Sequence, residues 1–183
     1  LSFALQAAEQ ARTQHALEIA EQQYRIAQRG ADTADKETRF RLAEGLGDVL
    51  LLRGRYDQAA ELFEQAAELA ESKLQRAHIR GRMADLAFKR GDMDHAVRDF
   101  EAALRTLGIY VPRRMPAFYL VFLWQGFVQV LHTIAPRIFL HRRKRYPTES
   151  ERLTLNLFSG LAHGIWYARN KVIALWAHMR GLN

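Results

Sequence analysis

The side chains that could do chemistry in this sequence are of few kinds. Seven histidines (His15, His78, His95, His132, His141, His163, His178) are scattered through it. None stands four residues from another, the spacing by which a helix offers two metal ligands with a carboxylate beside them. Gly45-Leu46-Gly47-Asp48 begins like a dinucleotide fingerprint, but the third glycine is missing and no strand precedes it. No glycine-rich phosphate loop ending in Lys and Ser or Thr occurs. Ser159-Gly160 lacks the flanking glycines of a nucleophile elbow. With no cysteine there is no disulfide, thiolate metal site or cysteine nucleophile. No cofactor, no metal and no catalytic residue is therefore expected. What remains is recognition by charge, and two sets of residues could supply it: Arg41, Glu44, Asp48, His78, Arg82, Asp85 and Lys89, and the run Arg142, Arg143, Lys144 and Arg145.

The elements that must position the first set are helical and recur. Leu46-Gly47-x-x-Leu50, then Gly54-x-Tyr56-x-x-Ala59-x-x-x-Phe63-x-x-Ala66, reads as two helices joined by a glycine turn. Small residues stand where the helices approach, and large ones where space must be filled. The same order returns 37 residues later as Met83-Ala84-x-x-Ala87, Gly91, Met93, Ala96, Phe100 and Ala103. An earlier copy places Ala7, Ala8 and Ala11 on the first helix and Ala20, Tyr24 and Ala27 on the second, with a turn at Thr13 to His15 that has no glycine. Gly30 is expected to close that copy in a left-handed cap, with Asp32 or Thr33 capping the next helix. The second copy should run from about Phe40 to Glu71 and the third from about Ala77 to Leu107. Such hairpins bury their apolar stripes only by stacking on one another, and Ala59→Leu should overpack the seam and cost about 1–3 kcal/mol.

This pattern resembles the tetratricopeptide repeat, whose consensus asks for a leucine-glycine pair, a turn glycine, then alanine, aromatic and alanine. The second copy meets it with Leu46, Gly47, Leu50, Gly54, Tyr56, Ala59, Phe63 and Ala66; the third keeps Gly91, Ala96, Phe100 and Ala103. The fourth-position aromatic and the closing proline are absent, and aromatic spacings of 39 and 37 residues suggest slightly longer helices than the plain repeat. The resemblance implies an all-α solenoid of antiparallel helix pairs and a protein or peptide partner held on the concave face lined by the first helices. By repeat offsets the exposed residues of that face are Leu5, Glu9, Arg41, Glu44, Asp48, His78, Arg82, Asp85 and Lys89. Chaperone-binding members clamp a terminal carboxylate there with basic residues. Glu44 and Asp48 stand at the corresponding offsets and would repel it, so a basic or mixed-charge partner is expected.

Three segments are expected: 1–107 as three helix pairs, 108–147 as an insertion, and 148–183 as a fourth, degenerate pair. Between Ala102 and Thr148 lie eight basic residues, no Asp or Glu, and all four prolines. Removing those eight from the 27 basic residues leaves 19 against 20 acidic ones, so the net charge of +7 belongs to the insertion. Phe118 to Leu140 is apolar almost all round and has three readings: a buried helix, a membrane-surface or spanning segment flanked by arginines, and a surface for self-association or for a neighbouring domain. The run Arg142 to Arg145 has no interleaved aromatics beyond Tyr146, which speaks against nucleic acid. Thr148-x-x-Glu151 announces a new helix with a capping box, reaching about Tyr167, with a partner helix from Lys171.

Leu1 opens a segment already helical in pattern, and Ala174 to Asn183 reads as an unfinished helix; a piece of a larger protein is expected. Gly164-x-Trp166 with Leu175 to Asn183 looks like the repeat regions of large bacterial signalling ATPases. That resemblance implies a non-catalytic, cytoplasmic regulatory segment contacting adjacent domains of the parent chain.

Overall fold

The computed structural model describes residues 1–111 and 146–168, with Leu123, Trp124, Phe127, Val128, Val130, Leu131 and Ile134 between them. Among the described residues there are seven bounded α-helices and one 3-10 turn, and no strand. They are α1 (Ser2–Thr13), α2 (Leu17–Gln28), α3 (Lys36–Leu52), α4 (Tyr56–Leu69), α5 (Lys73–Lys89), α6 (Met93–Thr106) and α7 (Glu149–Ala168), with the 3-10 turn Ala31–Thr33 between α2 and α3. The pairs α1/α2, α3/α4 and α5/α6 are antiparallel hairpins stacked in chain order, and α7 packs on α6 and α5 as the first helix of a further pair would.

Each turn is made the same way. The chain leaves the first helix through one left-handed residue, Gly54 (φ 75°) or Gly91 (φ 83°). The next amide then reaches back, Arg55 to the Leu50 carbonyl and Asp92 to the Ala87 carbonyl, at 2.9 Å each. In the first hairpin His15 takes that position (φ 58°), and Ala16 reaches the Ala11 carbonyl at 2.9 Å. Histidine is one of the few residues with a β-carbon that tolerates the left-handed region. Gly108 (φ 79°) ends α6 likewise. Two expectations are corrected. Gly30 has φ −105° and is no left-handed cap, because the chain goes straight into the 3-10 turn. Asp32 and Thr33 lie in that turn, and Asp35 caps α3 instead, accepting from the Thr38 amide at 2.8 Å.

α3 and α5 start at Lys36 and Lys73, about a turn before Phe40 and Ala77 where the repeats were expected to begin. Ser72 caps α5 in a reciprocal box with Gln75. Thr148 and Glu151 form the expected box ahead of α7, with bonds of 2.8 and 3.3 Å.

The seam is built from the repeated residues. Ala20, Ala59 and Ala96, Ala27, Ala66 and Ala103, and the aromatics Tyr24, Phe63 and Phe100 are all buried. The aromatics need glycines opposite. A β-carbon on Gly45 would lie 2.3 Å from the Tyr24 hydroxyl, one on Gly47 2.7 Å from Phe63, and one on Gly160 2.4 Å from Phe100. Tyr24 on Gly45 and Phe100 on Gly160 are the same contact at two seams: the aromatic of one second helix against the first helix of the next pair. Leu157, Phe158, Leu161 and Ile165 of α7 share an apolar cluster with Phe100 and Leu104, and Ala162 is buried beside them.

Most of 112–145, including Arg142, Arg143, Lys144 and Arg145, lies outside the described residues, as does the partner helix from Lys171. Of the apolar stretch, Leu123, Trp124, Phe127, Val130, Leu131 and Ile134 are helical and exposed. No described helix is long and apolar enough to cross a membrane.

Candidate partner-binding face

Each first helix touches the first helix of the next pair, α1 to α3, α3 to α5 and α5 to α7, as well as its own partner. That closeness sets α1, α3, α5 and α7 along the inner curve, the surface on which a partner of a helical stack is held.

The charged residues on this face are joined in pairs across hairpins. Arg41 on α3 donates to Glu9 on α1 at 2.6 Å. Arg12 on α1 donates from Nη1 to Oδ2 of Asp48 on α3 at 2.9 Å. Arg82 on α5 donates from Nη2 to the same oxygen at 3.0 Å. Its Nε faces Oδ1 at 3.0 Å in ion-pair contact, aligned too poorly for a hydrogen bond. Nη1 of Arg82 reaches Asp85 at 3.6 Å. His78 Nδ1 lies 3.3 Å from Glu44. A ladder Arg12–Asp48–Arg82 thus runs across three first helices, with Arg41–Glu9 and Glu44–His78 beside it. Lys89 is exposed at the end of α5.

Two residues expected to be exposed on this face are not. Asp48 is 6 % exposed and Leu5 is buried. Asp48 sinks between two first helices because Arg12 and Arg82 neutralise it from either side. It is therefore no free anion repelling a ligand carboxylate, and the arginines that could attract one are already occupied. Burial raises the Asp48 carboxyl above its ordinary range, with Arg82 and Arg12 pulling against it. Burial likewise raises Glu44 and Asp85, against the pull of Arg82 and other cations. His78 is lowered by burial and by the Arg82 charge, which favours the neutral imidazole.

His78, Arg82 and Asp85 meet Leu153 and Asn156 of α7 around a cleft of about 70 Å³ floored by Phe100 and Leu157. A larger groove of about 390 Å³ lies on another face of α5, with Ile79 and Met83 at its floor and Arg76, Arg80 and Asp99 at its rim. Its rim is tied: Arg80 donates to Asp99 at 3.2 Å, and Arg76 to the Glu71 carbonyl at 2.9 Å. The smaller cleft is the one that shares residues with the inner face.

Sequence reasoning missed a second buried carboxylate. Glu21 on α2 is 5 % exposed. It accepts from Arg25 at 2.9 Å, Arg53 at 2.7 Å and Arg55 at 2.9 Å. Burial pushes its carboxyl up, but the Arg25 hydrogen bond and the charges of Arg55, Arg25 and Arg53 prevail and hold it below its ordinary value. Only the stacking brings Arg53 and Arg55, from the next hairpin's turn, to a glutamate 32 and 34 residues away. Among the described residues no group of His, Asp and Glu could hold a metal ion.

Compared with known families, residues 38–108 match the tetratricopeptide repeat. No curated protein matches the chain. The matched segment covers α3 to α6 and the left-handed close at Gly108. On either side of it, the α1/α2 hairpin packs on α3, and α7 packs on α6 and α5. Residues 38–108 thus match the tetratricopeptide repeat within an all-α stack of helix pairs.

Proposed function

We propose that the chain is a non-catalytic scaffold that holds a mixed-charge segment of another protein along the inner face of α1, α3, α5 and α7. Tetratricopeptide repeats generally mediate protein–protein contacts and are typically non-catalytic. The observation that carries the proposal is the row of pre-paired charges on that face. Arg12, Arg41 and Arg82 each already hold a carboxylate, so the face offers alternating donors and acceptors and no cluster of unpaired cations for a terminal carboxylate. A partner with both signs of charge can exchange into these pairs; a purely acidic one meets Glu44 and Asp85.

Peptides selected by display against the whole chain test this. Binders should be of mixed charge and should be lost on Lys89→Glu, an exposed change that leaves the fold intact. Binders that tolerate both Lys89→Glu and Arg41→Glu would contradict it. The resemblance of Gly164-x-Trp166 and 175–183 to signalling-ATPase repeat regions supports the narrower reading of a cytoplasmic segment linking domains of such a protein.

A second reading rests on the exposed apolar positions Leu123, Trp124, Phe127, Val130 and Ile134, with the Trp124 and Phe127 rings 6.0 Å apart. Exposed apolar side chains of this kind suit a peripheral membrane-bound module. Flotation with anionic vesicles at low salt separates the two, since the scaffold reading predicts that the chain stays at the bottom of the gradient.

A further inference from the structure

The three hairpins place equivalent residues in unequal surroundings, and on one face the inequality leaves large apolar residues exposed. Four positions before Leu46 and Met83 stand Leu42 and Ile79, which are 5 % and 1 % exposed. Ile79, on the third hairpin, belongs to the apolar cluster built by the first two. The position therefore looks back at the preceding hairpin and is covered by it. Its counterpart in the first hairpin, four before Ala7, is Phe3, which is 87 % exposed.

On the second helix the difference is in residue type: the positions are exposed in both hairpins, polar in the second and apolar in the first. Arg25 of α2 donates to Gln58 of α4 at 3.3 Å, so the position just before Ala59 also looks back. Its counterpart just before Ala20 is Ile19, and Ile26 lies two turns further along the same stripe. Both are half exposed where the second hairpin carries Gln58 and Gln65. A helical stack that ends in solvent closes with a polar outer face. Here the outer face of α1/α2 has Phe3, Ile19 and Ile26.

We infer that this face is a stacking site for a further helical hairpin of the same repeat kind, one whose second helix presents small residues and an aromatic as α2, α4 and α6 do. The choice of occupant follows from continuity: it is the face by which the second and third hairpins already receive α2 and α4, and Phe3 supplies the apolar contact that Leu42 and Ile79 supply there. An acidic partner would leave the Phe3 ring without the apolar cover that Leu42 and Ile79 have. The inference is independent of what binds the inner face.

The test duplicates residues 36–76 directly ahead of Leu1 in the whole chain. In that register Leu1 takes the place of Ala77 and Phe3 that of Ile79. The added hairpin should fold, the thermal midpoint should rise, and amide exchange in α1 should slow by at least about tenfold. Phe3→Asp should abolish these gains in the extended chain and leave the unextended chain unchanged. An added hairpin that exchanges as unfolded chain, or gains that survive Phe3→Asp, would overturn the inference. Sedimentation of the unextended chain gives a second reading: it should be monomeric, and a dimer dissolved by Phe3→Asp would assign the face to a second copy instead.

Discussion

Asp48 and Glu21 are buried to the same degree, 6 % and 5 % exposed, and both are held by arginines from neighbouring hairpins. Yet their carboxyls shift in opposite directions, Asp48 upward and Glu21 downward. Glu21 sits at the turns, where three guanidiniums reach both its oxygens and keep their outer edges in water. Asp48 lies deep between first helices, where two arginines meet it and the carboxylates of Glu44 and Asp85 lie near. Burial alone does not decide how a carboxylate behaves; the number of cations and the depth at which they meet it do. The turn side of the stack is thus fastened by a strong ion cluster, and the inner face by pairs near balance.

The largest effect should come from Glu21→Gln. Removing the charge leaves three arginines facing one another across a buried site, and should cost about 3 kcal/mol, the low end for a broken buried pair because the arginines are partly solvated. Urea unfolding reads it. Asp48→Asn should cost less, about 1–2 kcal/mol, because burial already favours the neutral form at that site and the amide keeps an acceptor for Arg12 or Arg82. Equal losses for the two would erase the contrast.

Titration sharpens it further. Glu21 has a folded value below the ordinary 4.5, so its stabilisation is complete above that pH and is lost as the pH falls through the lowered value. Asp48 has a folded value above the ordinary 3.8; its stabilisation is complete below 3.8 and is lost as the pH rises through the raised value. Unfolding followed across the acid range should therefore show a shallower acid limb in Glu21→Gln and a reduced loss on the rising side in Asp48→Asn. The smallest effect belongs to Arg41→Ala. Its pair with Glu9 is surface-exposed on the arginine side, and thermal melts should show a loss below about 0.5 kcal/mol.

What was legible in the sequence was what depends on near neighbours. Gly54, Gly91 and Gly108 announce turns because a left-handed residue is needed within a few positions of a helix end. The alanines and aromatics announce the seam because their spacing follows one helix face, and Ala59 is fully buried. The capping box at Thr148 and Glu151 was equally readable from its spacing. The turn at Thr13 to His15 was placed by offset, but the left-handed histidine in the glycine's place shows only in the common geometry of the three turns. The inner-face residues were found by offset, but the burial of Asp48 and the pairing of Arg12 with it arise where two hairpins meet. The same holds for Glu21 and its three arginines. Offsets within a repeat say which way a side chain points, not what the next repeat brings to it.

The central claim is that two seams close by seating the aromatic of one second helix on a glycine of the following first helix, Tyr24 on Gly45 and Phe100 on Gly160. Proton NMR of the whole chain tests it at two seams at once. The account predicts strong nuclear Overhauser contacts from the Tyr24 ring to the Gly45 α-protons and from the Phe100 ring to those of Gly160, with both glycines shifted by ring currents. Unshifted glycine signals with no contact to either ring would contradict it.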